Sequence, residues 1–329
     1  EWNNSTTGEM YICTDATAGA NVWTNVGAGS GNIKPWSFQG SNYGYTAGGE
    51  VSGTPNSGWN QIDRFSFSSQ SDAVDVGDLI GPTWAIHGGS QSTTNYGYFA
   101  GGKNPTTVDV IQKVQMVATA DATDVANLVA ARKGGAGASS PQNYGYYAGS
   151  YPAGVTIEKY SMTTDANATD VGDLISGTTY SQAGYTSESY GWCSGGGSGG
   201  AITNIIQKYA FASDANATDI ADLNTSGGSC GTSSTTYGYR TGGNPMTNVI
   251  EKFAFVSTAN ATDVGDMVKA DDVMSGISAV GYGYICGGRT PTVATGGNMI
   301  QRHSHTSDGN SVDWANLTRT TEEPGTAQF

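Results

Sequence analysis

The chain has 329 residues, 49 of them glycine, with 28 acidic against 14 basic side chains and a formal net charge of −14. Such a surface repels phosphate backbones, which argues against nucleic-acid binding, and no apolar run is long enough to insert in a membrane. Scarce charge, abundant glycine, many Tyr, Thr and Ser and no sustained helical periodicity point to short strands and tight turns, so an all-β chain is expected.

Residues 1–32 carry no copy of the repeat that fills the rest of the chain. Glu9-Met10-Tyr11-Ile12-Cys13 and Asn21-Val22-Trp23-Thr24-Asn25-Val26 read as two strands joined by the turn-rich stretch 15–20, with Trp2, Tyr11 and Trp23 to bury. A β-meander this small is expected to lean on a neighbour. Gly27-Ala28-Gly29-Ser30-Gly31 reads as a flexible joint. A start at Glu1 with no Met or leader pattern suggests a processed protein or part of a longer one.

From residue 33 one stretch recurs. Tyr43-Gly44-Tyr45 with Gly48-Gly49 returns at Tyr96 and Tyr98, Tyr144 and Tyr146, Tyr190 and Trp192, Tyr237 and Tyr239, and Tyr282 and Tyr284, with starts 53, 48, 46, 47 and 45 residues apart. A period near 50 with several strand-like runs indicates a propeller or solenoid. Each unit reads as four strands. A small-residue stretch such as 135–140 comes first, then the Tyr-Gly-Tyr strand. A third strand follows (62–67, 111–116, 157–162, 206–211, 250–255, 300–305), and a fourth after an Asp/Asn turn (74–79 through 312–317). Six units of four strands predict a six-bladed β-propeller of four-stranded antiparallel blades, with units near 33–80, 81–129, 130–174, 175–223, 224–267 and 268–317. The last residues, 318–329, continue as another unit begins; 324–329 falls where a first strand should lie and is expected to pair against blade 1 near Trp36-Ser37-Phe38 and latch the ring.

Residues two apart in a strand share a face, so both tyrosines of each copy are expected in one gap between blades, with the intervening glycine letting the next blade approach. Arg64, Lys113, Lys159, Lys208, Lys252 and Arg302 hold one fixed place on the third strand. Asp75, Asp124, Asp170, Asp219, Asp263 and Asp313 answer on the fourth, which suggests an ion pair inside every blade.

The 2–3 and 4–1 loops share one face, and the 1–2 and 3–4 loops the other. The 3–4 turns are near copies: 165–170 and 214–219 are both Asp-Ala-Asn-Ala-Thr-Asp. The 2–3 loops vary in length and carry Trp59, Lys103, Asn104, Tyr151, Asn244, Met246 and Arg289. Variable loops on a repeated scaffold are where recognition sits, so Trp59, Asn104, Tyr151, Asn244, Met246 and Arg289 are the candidate ligand-binding residues. The Asp-x-Asn-x-Thr-Asp turn places oxygens at alternate positions that suit Ca²⁺, though the same residues suit tight turns without metal, and no cofactor is expected. Asn167, Asn216 and Asn260 head triplets of the glycosylation pattern that the repeat itself explains. His303 and His305 share a strand face in the slots of Phe65 and Phe67, a packing position with metal as the alternative. Cys13, Cys193, Cys230 and Cys286 make no metal spacing and leave open buried thiols or one disulfide. No triad, P-loop or carboxylate pair stands out, so no catalytic residue is expected.

A glycine pair, a short loop, then Ile157-Glu158-Lys159-Tyr160-Ser161-Met162 before a fourth strand resembles the kelch repeat of β-propellers over 33–317. The sequence departs from that pattern in the fourth-strand Trp, present only as Trp314, and in the basic residue before the first strand, present only as Arg132. The dense Tyr-Gly-Tyr and Asn-Ala-Thr-Asp repeats also resemble propellers in tailed-phage and marine-virus structural proteins. Asn4-Ser5-Thr6-Thr7-Gly8-Glu9-Met10-Tyr11 with Trp23 resembles short β-modules of phage fibre proteins. The resemblance implies a non-enzymatic module at a virion surface or tail fibre, or otherwise outside the cell, whose partners are a host glycan or protein and other virion subunits. An architectural subunit and a secreted carbohydrate-acting enzyme are the alternatives.

Overall fold

The computed structural model describes residues 2–3, 9–26, 37–51, 54, 57–86, 91–152, 154–175, 182–198, 201–227, 230–243, 245–289 and 297–329. Two compact units divide the chain, Glu1–Ser37 and Phe38–Phe329. The first holds a three-stranded antiparallel sheet of Trp2–Asn3, Met10–Asp15 and Val22–Asn25, one strand more than the two expected. Trp2 packs against buried Tyr11, with ring centroids 5.2 Å apart.

The second unit is a six-bladed β-propeller of four-stranded antiparallel sheets. Blade 1 is built from both ends of the unit: Gly325–Gln328 innermost, then Tyr43–Ala47, Gln61–Ser66 and Val74–Asp78. The inner strands of blades 2 to 6 are Gln91–Ser92, Ala136–Ser139, Ala183–Thr186, Cys230–Ser233 and Ser275–Ala279. The closing strand pairs with blade 1 as expected, its ladder partner being Tyr43–Ala47, with Gly325 opposite Ala47 and Gln328 opposite Gly44; Trp36 lies outside the described residues. Backbone pairing there completes a sheet whose edge would otherwise stand open, and the Gln328 amide donates to the Phe38 carbonyl at 2.6 Å.

The tyrosine pattern resolves into two jobs, not one. The second ring of each copy is buried between blades: Tyr45, Tyr98, Tyr146, Trp192, Tyr239 and Tyr284. Each packs on two side chains at the end of the next blade's third strand, for example Tyr146 on Tyr209 and Phe211, Trp192 on Phe253 and Phe255, and Tyr284 on Phe65 and Phe67. Several phenols also donate across the gap: Tyr98 to the Met162 carbonyl at 2.7 Å, Tyr284 to that of Phe67 at 3.1 Å, and Tyr45 to that of Met116. The first ring lies near the surface under the fixed cation, as with Lys113 4.2 Å from Tyr96 and Arg302 4.3 Å from Tyr282. The outer ring stands beside the cross-strand cation at the edge of the inter-blade cluster, and the inner ring is buried within it.

The glycine between them also differs from expectation. Gly44 is paired with Phe65 in the ladder, and a Cβ on Gly44 would lie 2.5 Å from the Phe65 ring. At Gly44 the bare face is therefore covered by a ring of the same blade, which in turn receives the preceding blade's tyrosine. At Gly97 and Gly283, by contrast, the neighbouring blade's inner strand also approaches, and a Cβ there would lie 2.7 Å from Ala327 and 2.4 Å from Thr232. Gly48 and Gly49 that end the strand have φ of 63° and 101°, left-handed backbone that side chains resist.

Three of the third-strand cations form ion pairs with the following blade instead of with their own fourth strand. Lys113 reaches Asp165 at 2.8 Å, Lys159 reaches Asp214 at 3.1 Å, and Lys252 reaches Asp308, each on the 3–4 turn of the following blade. The expected partners Asp75, Asp124, Asp170, Asp219, Asp263 and Asp313 stand instead opposite Asp63, Gln112, Glu158, Gln207, Glu251 and Gln301, because a bulge in every third–fourth strand pair shifts the register.

Those six third-strand residues form a second set of links. Asp63, Gln112, Glu158, Gln207, Glu251 and Gln301 each accept a backbone N–H from the preceding blade, at Thr318, Ile80, Val129, Ile175, Thr225 and Val268. Carboxylates alternate with amides around the ring, and each carboxylate has a buried arginine. Arg319 lies 2.8 Å from Asp63, Arg132 lies 2.8 Å from Glu158, and Arg240 shares the Thr225 hydroxyl with Glu251. Burial pushes the Glu158 and Glu251 carboxyls above their ordinary range, and the arginines hold them down.

Candidate functional site

The two faces of the propeller treat their polar atoms differently. On the 3–4 face the repeated turns grip the neighbouring blade: the Asn167, Asn216, Asn260 and Asn310 amide oxygens accept the N–H groups of Asn127, Asp173, Asp222 and Asp266 at 3.0 to 3.1 Å. A buried alanine follows at Ala168, Ala217 and Ala261. The near-identity of these turns thus has a packing cause. Among the described residues no three His, Cys, Asp or Glu side chains gather as metal ligands.

The axis is closed on that same side. Gly40 N–H donates to the Ser278 carbonyl at 2.9 Å, and the Gln39 amide donates to the carbonyls of Ser233 at 3.1 Å and Ala279 at 3.0 Å. Above this plug runs an unbroken circle of hydrogen bonds. The N–H groups of Ser92, Ser139, Thr186, Ser233, Ser278 and Gln328 donate in turn to side-chain oxygens of Ser139, Thr186, Ser233, Ser278, Gln328 and Ser92, over 2.9 to 3.3 Å. Inner strands have no ladder partner on the axial side, so a hydroxyl or amide at this position satisfies an N–H that would otherwise be orphaned. The cavity inside, lined by Phe38, Thr186, Ser233, Ser278 and Gln328, is about 20 Å³, room for water and not for a sugar.

On the opposite face, among the described residues, the 4–1 loop is zipped to the 2–3 loop of the blade it enters at blades 1, 2, 3 and 6. Trp84 pairs with Lys103, Lys133 with Tyr151, and Asp272 with Arg289 as isolated antiparallel bridges, while Thr321–Glu322 pairs with Glu50–Val51. The candidate residues fall here with unequal roles. Trp59 is half-buried and donates its indole N–H to the Thr320 carbonyl at 3.1 Å, and Arg289 forms a two-point contact with Asp272 at 3.2 and 3.0 Å. Both therefore hold loops together. Asn104 is half-buried in a tight hairpin with Thr106, Met246 is half-buried before the third strand of blade 5, and Tyr151 is 55% exposed. Asn244 lies outside the described residues.

Charge is unevenly spread over this face. Around blades 5, 6 and 1, Asp271, Asp272, Glu322 and Glu323 are all buried, countered by Arg289 and by Lys269, which lies 3.2 Å from Asp271. Desolvation pushes the Asp271 carboxyl up to about 6 against the pull of Lys269. Around blades 2 and 3 stand amines and rings: Lys103 is 5.3 Å from Trp84 and Lys133 5.5 Å from Tyr151.

His303 and His305 are buried beneath Tyr239. Burial lowers the His303 imidazole to about 4 and His305 further, so both are neutral rings in the aromatic slots. All four cysteines are free, and burial raises Cys230 to about 12 and Cys193 and Cys286 higher still, which makes these three inert thiols.

The three arginines share no repeat position, Arg240 lying on the second strand of blade 5 and Arg132 and Arg319 at different places in 4–1 loops, so Arg240 and Arg319 carry no signal in the sequence. The alternation of acid and amide at 63, 112, 158, 207, 251 and 301 is nonetheless written in the repeat register, and it marks where a buried cation is required. Comparison of the sequence with models of known protein families and with curated proteins finds no match.

Proposed function

We propose that this propeller is a non-enzymatic recognition module that binds a host glycan or protein through the 2–3 and 4–1 loops, with a virion surface or tail fibre as its setting. The observation that carries the reading is the division of labour between the faces. Turn side chains on one face are engaged in holding neighbouring blades, and the axis there is plugged by residues 38–40. Loops on the other face differ from blade to blade and present Tyr151, Asn104 and Met246 on a fixed frame. Rigid support beneath variable side chains lowers the ordering cost of binding. The kelch-like glycine pairs and the phage-like Asn-Ala-Thr-Asp repeats support the setting.

The test is binding of the full chain to a panel of bacterial surfaces, with Tyr151→Ala, Asn104→Ala and Met246→Ala combined. These changes spare the loop clamps at Trp59 and Arg289. Loss of binding with an unchanged melting temperature is expected, and undiminished binding removes the reading.

A second reading, an architectural subunit, is favoured by Ile80, Val129 and Ile175. These occupy one equivalent place after the fourth strand of blades 1 to 3, each at least half exposed. An assembly map showing that rim covered by other subunits decides for it.

A further inference from the structure

We propose that the propeller's axis carries a binding site for one monovalent anion of chloride size, built from the hydroxyl groups of Thr186, Ser233 and Ser278. These residues belong to the inner strands of blades 4, 5 and 6, are more than nine-tenths buried, and line the axial cavity of about 20 Å³. Each hydroxyl oxygen already accepts one backbone N–H, from Ser139 at 3.3 Å, Thr186 at 3.2 Å and Ser233 at 2.9 Å. Among the described residues none of the three hydroxyls finds an acceptor for its own proton. An O–H whose oxygen accepts a hydrogen bond is the stronger donor for it, and a buried donor left unmatched costs free energy.

The acceptors around the cavity are engaged elsewhere. The Ser233 carbonyl receives the Gln39 amide at 3.1 Å, the Ser278 carbonyl the Gly40 N–H at 2.9 Å, and the Gly276 carbonyl the Thr326 hydroxyl at 2.9 Å. The Gly184 and Gly231 carbonyls lie against the next blade's glycine, so that a Cβ on Gly231 or Gly276 would stand 2.4 or 2.2 Å from them. The Gln328 amide oxygen receives the Ser278 N–H at 3.2 Å, and the Tyr185 hydroxyl bonds that of Ser194 at 2.7 Å. The lining therefore offers protons and no carboxylate, which disfavours a cation. Water is the competing occupant, and the volume holds one. A single water has two lone pairs for three hydroxyl protons, whereas a spherical anion accepts all three. Hydrogen bonds to an ion are about twice as strong as neutral ones and replace its lost hydration. The site does not depend on what the variable loops bind.

The experiment exchanges sodium gluconate for sodium chloride at constant ionic strength and follows the melting temperature of the full chain. A saturable rise is expected, about 5 °C at a hundredfold excess of chloride over its dissociation constant. Bromide should act likewise, and crystals grown in bromide should show one anomalous peak beside the three hydroxyl oxygens. Ser233→Ala and Thr186→Val are each expected to abolish the chloride-dependent rise. Both also remove an acceptor from the hydrogen-bond circle, so Ser92→Ala is the matched control. The Ser92 hydroxyl accepts the Gln328 N–H at 3.1 Å without lining the cavity, and its loss should lower the melting temperature yet keep the rise. No halide-dependent rise in the wild type, or its loss in Ser92→Ala as in Ser233→Ala, overturns the site. A map with water on the axis in bromide overturns it in favour of water. A bromide peak without any rise in solution is an adventitious ion only and overturns it too.

Discussion

The seam between blades 5 and 6 and the seam between blades 6 and 1 are the same joint made from different chemistry. In the first, Tyr239 stacks on His305 at 4.8 Å and 21° and donates to its carbonyl at 3.1 Å. In the second, Tyr284 stacks on Phe67 at 4.9 Å and 26° and donates to its carbonyl at 3.1 Å. The inner-strand residue facing each ring pair matches it. Thr232 bonds His303 Nε2 at 2.9 Å and His305 Nε2 at 3.3 Å, while Ile277 packs in the cluster of Phe65 and Phe67. The slot takes an apolar ring, an aliphatic or thioether side chain such as Val114 and Met116, or a polar ring when the facing residue supplies a hydrogen bond.

The largest effect comes from emptying either joint. Tyr239→Ala and Tyr284→Ala are each expected to cost about 3–5 kcal/mol, the usual loss for a buried large aromatic. Denaturant unfolding at neutral pH checks this, and a marked inequality between the two would show that the seams are not equivalent.

Acid separates them next. The histidines are held neutral in the fold, so their contribution to stability is complete above about pH 6.5 and is lost as pH falls toward the lowered folded value near 4, because the unfolded chain takes up the protons first. For His303 the loss amounts to on the order of 3 kcal/mol by pH 4. Thermal melts of wild type against a His303→Phe, His305→Phe, Thr232→Val triple variant should diverge below pH 6.5. Parallel acid curves would remove the histidines as the cause.

The smallest effect sharpens the match between ring and facing residue. Thr232→Val in the wild type leaves His303 Nε2 without its partner, and about 1–3 kcal/mol is expected to be lost. In the double-phenylalanine background the same change should be neutral or stabilising. A double-mutant cycle with no coupling would mean that Thr232 and the histidines are independent.

Blade number, strand order and the aromatic slots are legible in the sequence because each is a regularity, of two residues or of one blade, repeated along one chain: Tyr45, Tyr98 and Tyr284 announce one another. Register alone places His303 and His305 in ring slots. Links between units stay hidden. Lys113 has Asp124 close in sequence, yet its partner is Asp165, because the bulge after Ile111 turns the ladder and the next blade's turn comes within reach. Trp59 and Arg289 stand out as large side chains in variable loops; their engagement with Thr320 and Asp272 depends on loops that meet only after the ring closes.

By itself the sequence determined the local rules: alternating side chains on short strands, left-handed glycines after each second strand, and rings spaced to fall at every seam. Those are consequences of backbone sterics and of a two-residue repeat, which neighbouring residues settle among themselves. Only the tertiary structure decided which acid meets which base, that the closing strand Gly325–Gln328 takes Tyr43–Ala47 as its ladder partner, and that carboxylates gather around blades 5, 6 and 1. These depend on curvature and closure, since a small angle between successive blades sets which distant side chains end within a few ångströms.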